Sequence, residues 1–200
     1  MGRPSLKEQR SEEILAAFAR CVARFGLDGA TLEHVAEEAG VSRPALRHFV
    51  GNREDLIDAL AAYVQRDYRT KMEAMFAWLP DTGRVEALIE FLFAPNAASS
   101  SEDVALAQAL TAGADRYPSV AAPLKHWIIE FDQRIQDELA MHAPNAASKD
   151  IAAASFGILS LYFNIDALSQ LGMPERYGAA AKTAALNLVS NLEETSHGTD

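Results

Sequence analysis

Apolar residues recur at three- and four-residue intervals along nearly the whole chain, and no two-residue alternation competes with them, so the pattern predicts an all-α protein. Ile14, Leu15, Phe18, Val22 and Phe25 form the first stripe, begun by Ser11 with Glu12 and Glu13 and ended by Gly26. A short second stripe of Leu32, Val35, Ala36 and Ala39 closes at Gly40, and Ser42 caps a third helix whose Leu46 and Phe49 face inward. Asn52 caps a long fourth helix, with Leu56, Ile57, Leu60, Val64, Tyr68, Met72, Met75, Phe76 and Leu79 on its apolar face up to Pro80. Five more helices follow: Thr82 to Ala94, Ser101 to the Tyr117-Pro118 pair, one begun by Pro123 and broken at Pro144-Asn145, Asn145 to Leu171, and Pro174 to Glu194. Pro95 to Ser101 reads as a loop.

Two short helices joined by a tight glycine turn are a helix-turn-helix, and the second of them is basic. No acidic residue lies between Ala39 and Arg53, so this surface can meet phosphate. Spacing turns Arg43, Arg47 and His48 outward, and each position can be given a task. Arg43 is the expected base reader, and Arg47 and Arg53 the phosphate clamps, Arg53 standing in the first turn of the next helix. Ser42 caps the helix and offers a hydroxyl to phosphate, Pro44 sits in the first turn where its missing N–H costs nothing, and Ala45 is small enough to approach a thymine methyl. Thr31 completes the expected DNA-contacting set. The terminal arm with Arg3, Lys7 and Arg10 reads either as a frayed end or as an arm touching the DNA backbone or minor groove.

Net charge at first argues against nucleic acid, since the 200 residues sum to −10. Its distribution changes that picture. Residues 1–56 hold 8 of the 18 Lys and Arg and 9 of the 28 Asp and Glu, so nearly all the excess acid lies behind a near-neutral head. Such an arrangement permits binding through one basic helix while opposing indiscriminate attachment to DNA. The single cysteine, Cys21, excludes an internal disulfide and falls on an apolar stripe. No apolar run looks long enough to cross a membrane and the N-terminus lacks a signal-peptide core, so a cytoplasmic protein with no membrane partner is expected. No Gly-rich phosphate loop, no G-x-S-x-G and no Cys-pair or H-E-x-x-H metal spacing occurs, and the lone Glu-x-x-His, Glu194 to His197, lies in the polar tail. The expectation is therefore no enzyme, no catalytic residue, no cofactor and no metal.

The run T-L-x-x-V-A-x-x-A-G-V-S-R-x-x-L-x-x-F-x-x-x-R-x-x-L, here Thr31 to Leu56, resembles the N-terminal domain of the TetR family of one-component transcriptional repressors. The resemblance implies an N-terminal three-helix DNA-binding domain over 1–51 and a C-terminal helical effector-binding and dimerisation domain over 52–200, with 52–79 as the connecting helix. It places the family's phosphate-contacting Tyr at Arg47 and its Lys at Arg53; the first is a departure, and the aromatic that often follows Phe49 is Val50 here. A shift at the far end of the connecting helix would tilt the reading helix.

Two stripes at helical spacing close the chain: Phe156, Leu159, Phe163, Leu168 and Leu171, then Tyr177, Ala181, Ala184, Leu188 and Leu192. By pattern alone they are either an intramolecular core or an oligomer interface; the resemblance implies the interface of a homodimer. It also implies a pocket for a small-molecule effector of unstated identity, for which Met72, Phe76, Tyr117, His126, Trp127, Phe131, Tyr162 and Phe163 are the candidate lining. The expected function is a dimeric repressor that leaves a palindromic double-stranded DNA operator when the effector binds. The alternative is a helical adaptor that uses the same geometry without DNA.

Overall fold

A computed structural model of the chain describes residues 5–94 and 100–197, which form nine helices and no strand among the described residues. In order these are α1 (Leu6–Gly29), α2 (Leu32–Glu38), α3 (Arg43–Val50), α4 (Arg53–Trp78), α5 (Arg84–Phe93), α6 (Ser101–Gly113), α7 (Pro118–His142), α8 (Ser148–Ser169) and α9 (Arg176–His197). The chain divides into two compact units, one of residues up to Thr70 with Glu102–Trp127, the other of Lys71–Ser101 with Ile128 onward.

In the first unit α1, α2 and α3 pack pairwise. Their core of Ile14, Phe18, Val22, Val35 and Leu46 is continuous with Leu56, Ile57 and Leu60 of α4, Leu110 of α6 and Val120 of α7. The core that α1, α2 and α3 share is thus completed by α6 and α7 as well as by α4. Helix α1 starts earlier than the sequence pattern suggests. Ser5, not Ser11, is its cap: Ser5 Oγ accepts from the Glu8 N–H at 3.2 Å and Glu8 Oε2 accepts from the Ser5 N–H at 2.7 Å. Lys7 and Arg10 are therefore helical, with Arg10 paired to Glu13, while Arg3 lies outside the described residues. Gly26, at φ +72°, breaks α1 where the sequence places its end.

The second unit is built from the last two turns of α4 (Met72, Met75, Phe76), α5, the remainder of α7, α8 and α9. Helix α9 packs on both α5 and α8. At the α8–α9 contact Gly157 permits close approach: a Cβ there would lie 2.7 Å from Leu188 Cδ1. Buried Ser155 donates to Asp132 Oδ1 at 2.6 Å and so ties α8 to α7. Glu138, 5% exposed, accepts two parallel hydrogen bonds from Arg84 at 2.7 and 2.8 Å, a bidentate pair that joins α7 to the start of α5.

Two expectations need correction. Helix α7 begins at Pro118, and Pro123 lies inside it; the Val120 and Ala121 N–H groups bond to the Tyr117 carbonyl, so the first turn forms before Pro123 is reached. Helix α8 is, by length and composition, apolar enough to cross a membrane, with a mean hydropathy of 1.5 over its most apolar 18 residues. Lys149, Asp150 and Asp166 near its ends break the run when charges are read one by one, yet leave a long Ala-, Leu- and Phe-rich middle. Only 28% of that window is buried within the chain. The segment 95–99, read as a loop, lies outside the described residues.

Candidate nucleic-acid interface

The reading pair is shaped by capping groups that the sequence supplies at each end. Thr31 begins α2, its Oγ1 accepting from the His34 N–H at 3.2 Å. Gly40 takes φ +62° in the turn, where an L side chain would be strained, and the Val41 N–H returns to the Ala36 carbonyl at 2.9 Å. Ser42 caps α3 through the Ala45 N–H at 3.3 Å, with Pro44 in the first turn. The next cap is reciprocal: Asn52 Oδ1 accepts from the Glu54 and Asp55 N–H groups, and Asp55 Oδ2 accepts from the Asn52 N–H. Leu46 is fully buried and Phe49 half-buried, which fixes the face of α3 that points away from the core.

That outer face carries the residues expected from spacing. Ser42, Arg43, Pro44, Arg47 and His48 are exposed, Ala45 is half-exposed, and Thr31 is exposed one helix away. Among the described residues neither Arg43 nor Arg47 makes an ion pair. By contrast Arg20 and Arg24 of α1 both bind Glu38 at the end of α2, Arg20 at 2.6 Å. The Arg20 hydrogen bond comes first among the causes that hold the Glu38 carboxyl below the usual carboxylate range. Arg43 and Arg47, which have no acidic partner among the described residues, are thus on the helix that would enter a groove.

Arg53 is the exception. Its guanidinium turns back onto the end of α1 and donates to the Ala30 and Leu27 carbonyls at 2.6 Å and to the Asp28 carbonyl at 3.2 Å. Its η nitrogens are therefore occupied by protein, not directed outward as a phosphate clamp requires. Spacing placed Arg53 correctly at the start of α4, but could not show acceptors lying 23 to 26 positions earlier.

Residues 14–60, from inside α1 to the first turns of α4, match the family model of bacterial regulatory proteins, tetR family. This stretch of the chain is similar to that family. Curated relatives are similar over part of the sequence. The HTH-type transcriptional repressor AcnR of Corynebacterium diphtheriae is 35% identical over 86 residues, 43% of this chain and 42% of that protein. The HTH-type transcriptional regulator BetI of Burkholderia cenocepacia is 31% identical over 67 residues, 34% of each. The chain thus aligns with well under half the length of these relatives. Solved structures extend the likeness to the whole fold: a TetR-family transcriptional regulator from Cytophaga hutchinsonii at TM-score 0.77 and 13% identity, covering 95% of this chain and 98% of that one, and Salmonella enterica GusR at 0.70 and 19%, covering 94% and 100%.

The residues expected to line a TetR-type effector pocket are divided between the two compact units. Tyr117, His126 and Trp127 belong to the first unit; Met72, Phe76, Phe131, Tyr162 and Phe163 belong to the second. In the second, Phe76, Phe131 and Tyr162 meet edge to face at 6.2 and 6.1 Å and are almost completely buried, so they serve as core. In the first, Trp127 packs on Tyr68 and lines a crevice with Val64, Leu110, Val120 and Leu124. Its water-accessible volume is about 10 Å³, room for roughly one water and far below the ~300 Å³ of an ordinary ligand pocket. Leu110, Val120 and Leu124 escaped the sequence reading because aliphatic lining residues look like any other apolar stripe.

The expected dimer residues also separate. Leu159, Ala181 and Leu192 are buried inside the chain, where α8 and α9 pack on one another, and are not on a free surface. Phe163, Leu168, Ala184 and Leu188 are half-exposed, whereas Phe156 and Tyr177 are 69% and 42% exposed. A spacing of three and four residues cannot distinguish the two faces of a helix that is apolar on both.

Proposed function

We propose that this chain is a TetR-family, sequence-specific, DNA-binding transcriptional repressor that acts as a homodimer and releases a near-palindromic operator when a small molecule binds. The observation that carries this reading is the outer face of α3, where Arg43, Arg47 and His48 are exposed and the two arginines have no acidic partner among the described residues. A cation left unpaired on an otherwise acidic protein is matched by phosphate. In this reading 1–51 is the DNA-reading part, 52–200 binds effector and partner, and 52–79 connects them. Helix α4 contributes residues to both compact units, so displacement along it is a route from effector to reader. The test is a mobility shift on DNA flanking the protein's own gene. A log-linear loss of affinity with salt supports the regulator, and absent or salt-insensitive binding supports the adaptor instead.

The dimer is assigned to the face of α8 and α9 that carries Phe156 and Tyr177, with Phe163, Leu168, Ala184 and Leu188 around them. Its support is the long apolar middle of α8, of which only 28% is buried by the chain itself; so large an apolar surface needs a cover. Two-fold pairing would present two copies of α3 to two half-sites. Phe156→Glu is expected to yield a monomer by light scattering and to weaken operator binding by about 100-fold, the advantage of linked half-sites. An unchanged mass would remove this face from consideration.

A further inference from the structure

A turn just ahead of the reading pair is anchored from several directions. Gly26 breaks α1, and residues Leu27 to Ala30 form a separate turn that runs directly into the Thr31 cap of α2. Arg53, the first residue of α4, holds three carbonyls of this turn, those of Leu27, Asp28 and Ala30. From another direction the Asp28 carboxylate accepts the Tyr117 hydroxyl on Oδ1 at 2.8 Å and the Arg116 guanidinium on Oδ2 at 2.8 Å. Both donors sit where α6 gives way to α7. The Leu27 side chain is buried against Gly113 of α6, where a Cβ would lie 2.8 Å from Leu27 Cδ2. Backbone carbonyls, carboxylate and side chain of one short turn are thus all committed to other helices.

We propose that the Gly26–Ala30 turn is a clasp that positions the reading pair, with Arg53 fastening it to α4 and Asp28 fastening it to the α6–α7 junction, so that Arg53 supports DNA binding through this turn and not by touching phosphate. The inference rests on the DNA-binding reading given above, and it changes the role of one residue in it. Arg53 is a positioning residue: a planar guanidinium can span three carbonyls, whereas the ammonium of lysine, a compact point charge, cannot hold the same fork. Phosphate would accept either. Tyr117 and Asp28 become part of the reader's support although they lie on other helices.

The discriminating experiment uses the full-length protein and two readouts: amide hydrogen exchange over residues 27–34, and operator affinity as a function of salt. Tyr117→Phe, Asp28→Asn and Arg53→Lys are each expected to speed exchange in this segment by about 5–10-fold, the equivalent of one lost hydrogen bond of ordinary strength at a solvent-exposed site. Arg53→Lys is further expected to lower operator affinity by a similar factor with the salt slope unchanged, because no phosphate contact is lost. Because the clasp members share one turn, the double variant Tyr117→Phe with Arg53→Lys should lose less than the two single effects combined. Unchanged exchange in both Tyr117→Phe and Arg53→Lys would overturn the clasp. So would an Arg53→Ala variant with normal exchange and a salt slope reduced by about one, the behaviour of a phosphate clamp. Faster exchange in the variants of a protein that binds no DNA at all would keep the clasp and remove the regulator reading.

Discussion

Glu138→Ala is expected to lower the thermal midpoint by roughly 5–10 °C, the largest stability loss anticipated for a single side chain outside the apolar core. Glu138 is 5% exposed and receives both ends of the Arg84 fork. The same guanidinium lies within 3.3 to 3.5 Å of the Phe76, Leu79 and Pro80 carbonyls, which end α4. Removing the carboxylate leaves a cation among carbonyls that only partly replace it, and such half-removed pairs cost far more than pairs replaced together. Arg84 keeps 30% of its side-chain exposure, so water offsets part of the loss and the upper end of the range for a wholly buried pair is not reached. Glu138→Gln should fall between, since the amide oxygen still accepts. The double variant Arg84→Met with Glu138→Leu should recover much of the stability. A midpoint within about 2 °C of wild type for Glu138→Ala would mean that the pair contributes little at the end of α4.

The second large effect concerns DNA. Arg47→Ala is expected to weaken binding on every sequence and to flatten the salt slope by about one, whereas Arg43→Ala should cost about 5- to 150-fold on the preferred operator and little on an operator altered at one base pair. Both arginines are exposed on α3 and free of acidic partners among the described residues, so neither substitution should move the thermal midpoint by more than a degree or two. Fluorescence anisotropy on operator and scrambled duplexes at several salt concentrations separates the two roles. If both variants lost affinity equally on all sequences, with parallel salt slopes, the division into base reader and phosphate clamp would fail. The aromatic usual at the position of Arg47 would supply a packing contact; arginine supplies charge, and makes this position the more salt-sensitive of the two.

Each part of the site had a different legibility. The reading pair can be placed from residues alone because its determinants are local: Gly40, through its positive φ, and Ser42, through its cap, act within four positions of themselves. The structure caps α1 six residues ahead of the Ser11 signal for a related reason. Ser5-Leu6-Lys7-Glu8 is a capping box followed by polar residues, and without an apolar stripe behind it the Ser11-Glu12-Glu13 signal looked stronger. Pro118 and Pro123 present a similar choice, decided by the Tyr117 carbonyl.

Sequence by itself determined the helical class, the order of the nine helices among the described residues with boundaries up to six residues off, the helix-turn-helix and the basic face of α3, because helix periodicity and capping are short-range properties. Tertiary structure alone decided what each outward or inward residue meets. It assigned Arg53 to carbonyls instead of open solvent, and joined Asp28 to donors 88 and 89 positions away. It divided the aromatic residues between two compact units, and it buried Leu159, Ala181 and Leu192 within the chain while leaving Phe156 exposed. These outcomes depend on which helices pack together, and a periodic stripe specifies that a face is buried without specifying its partner.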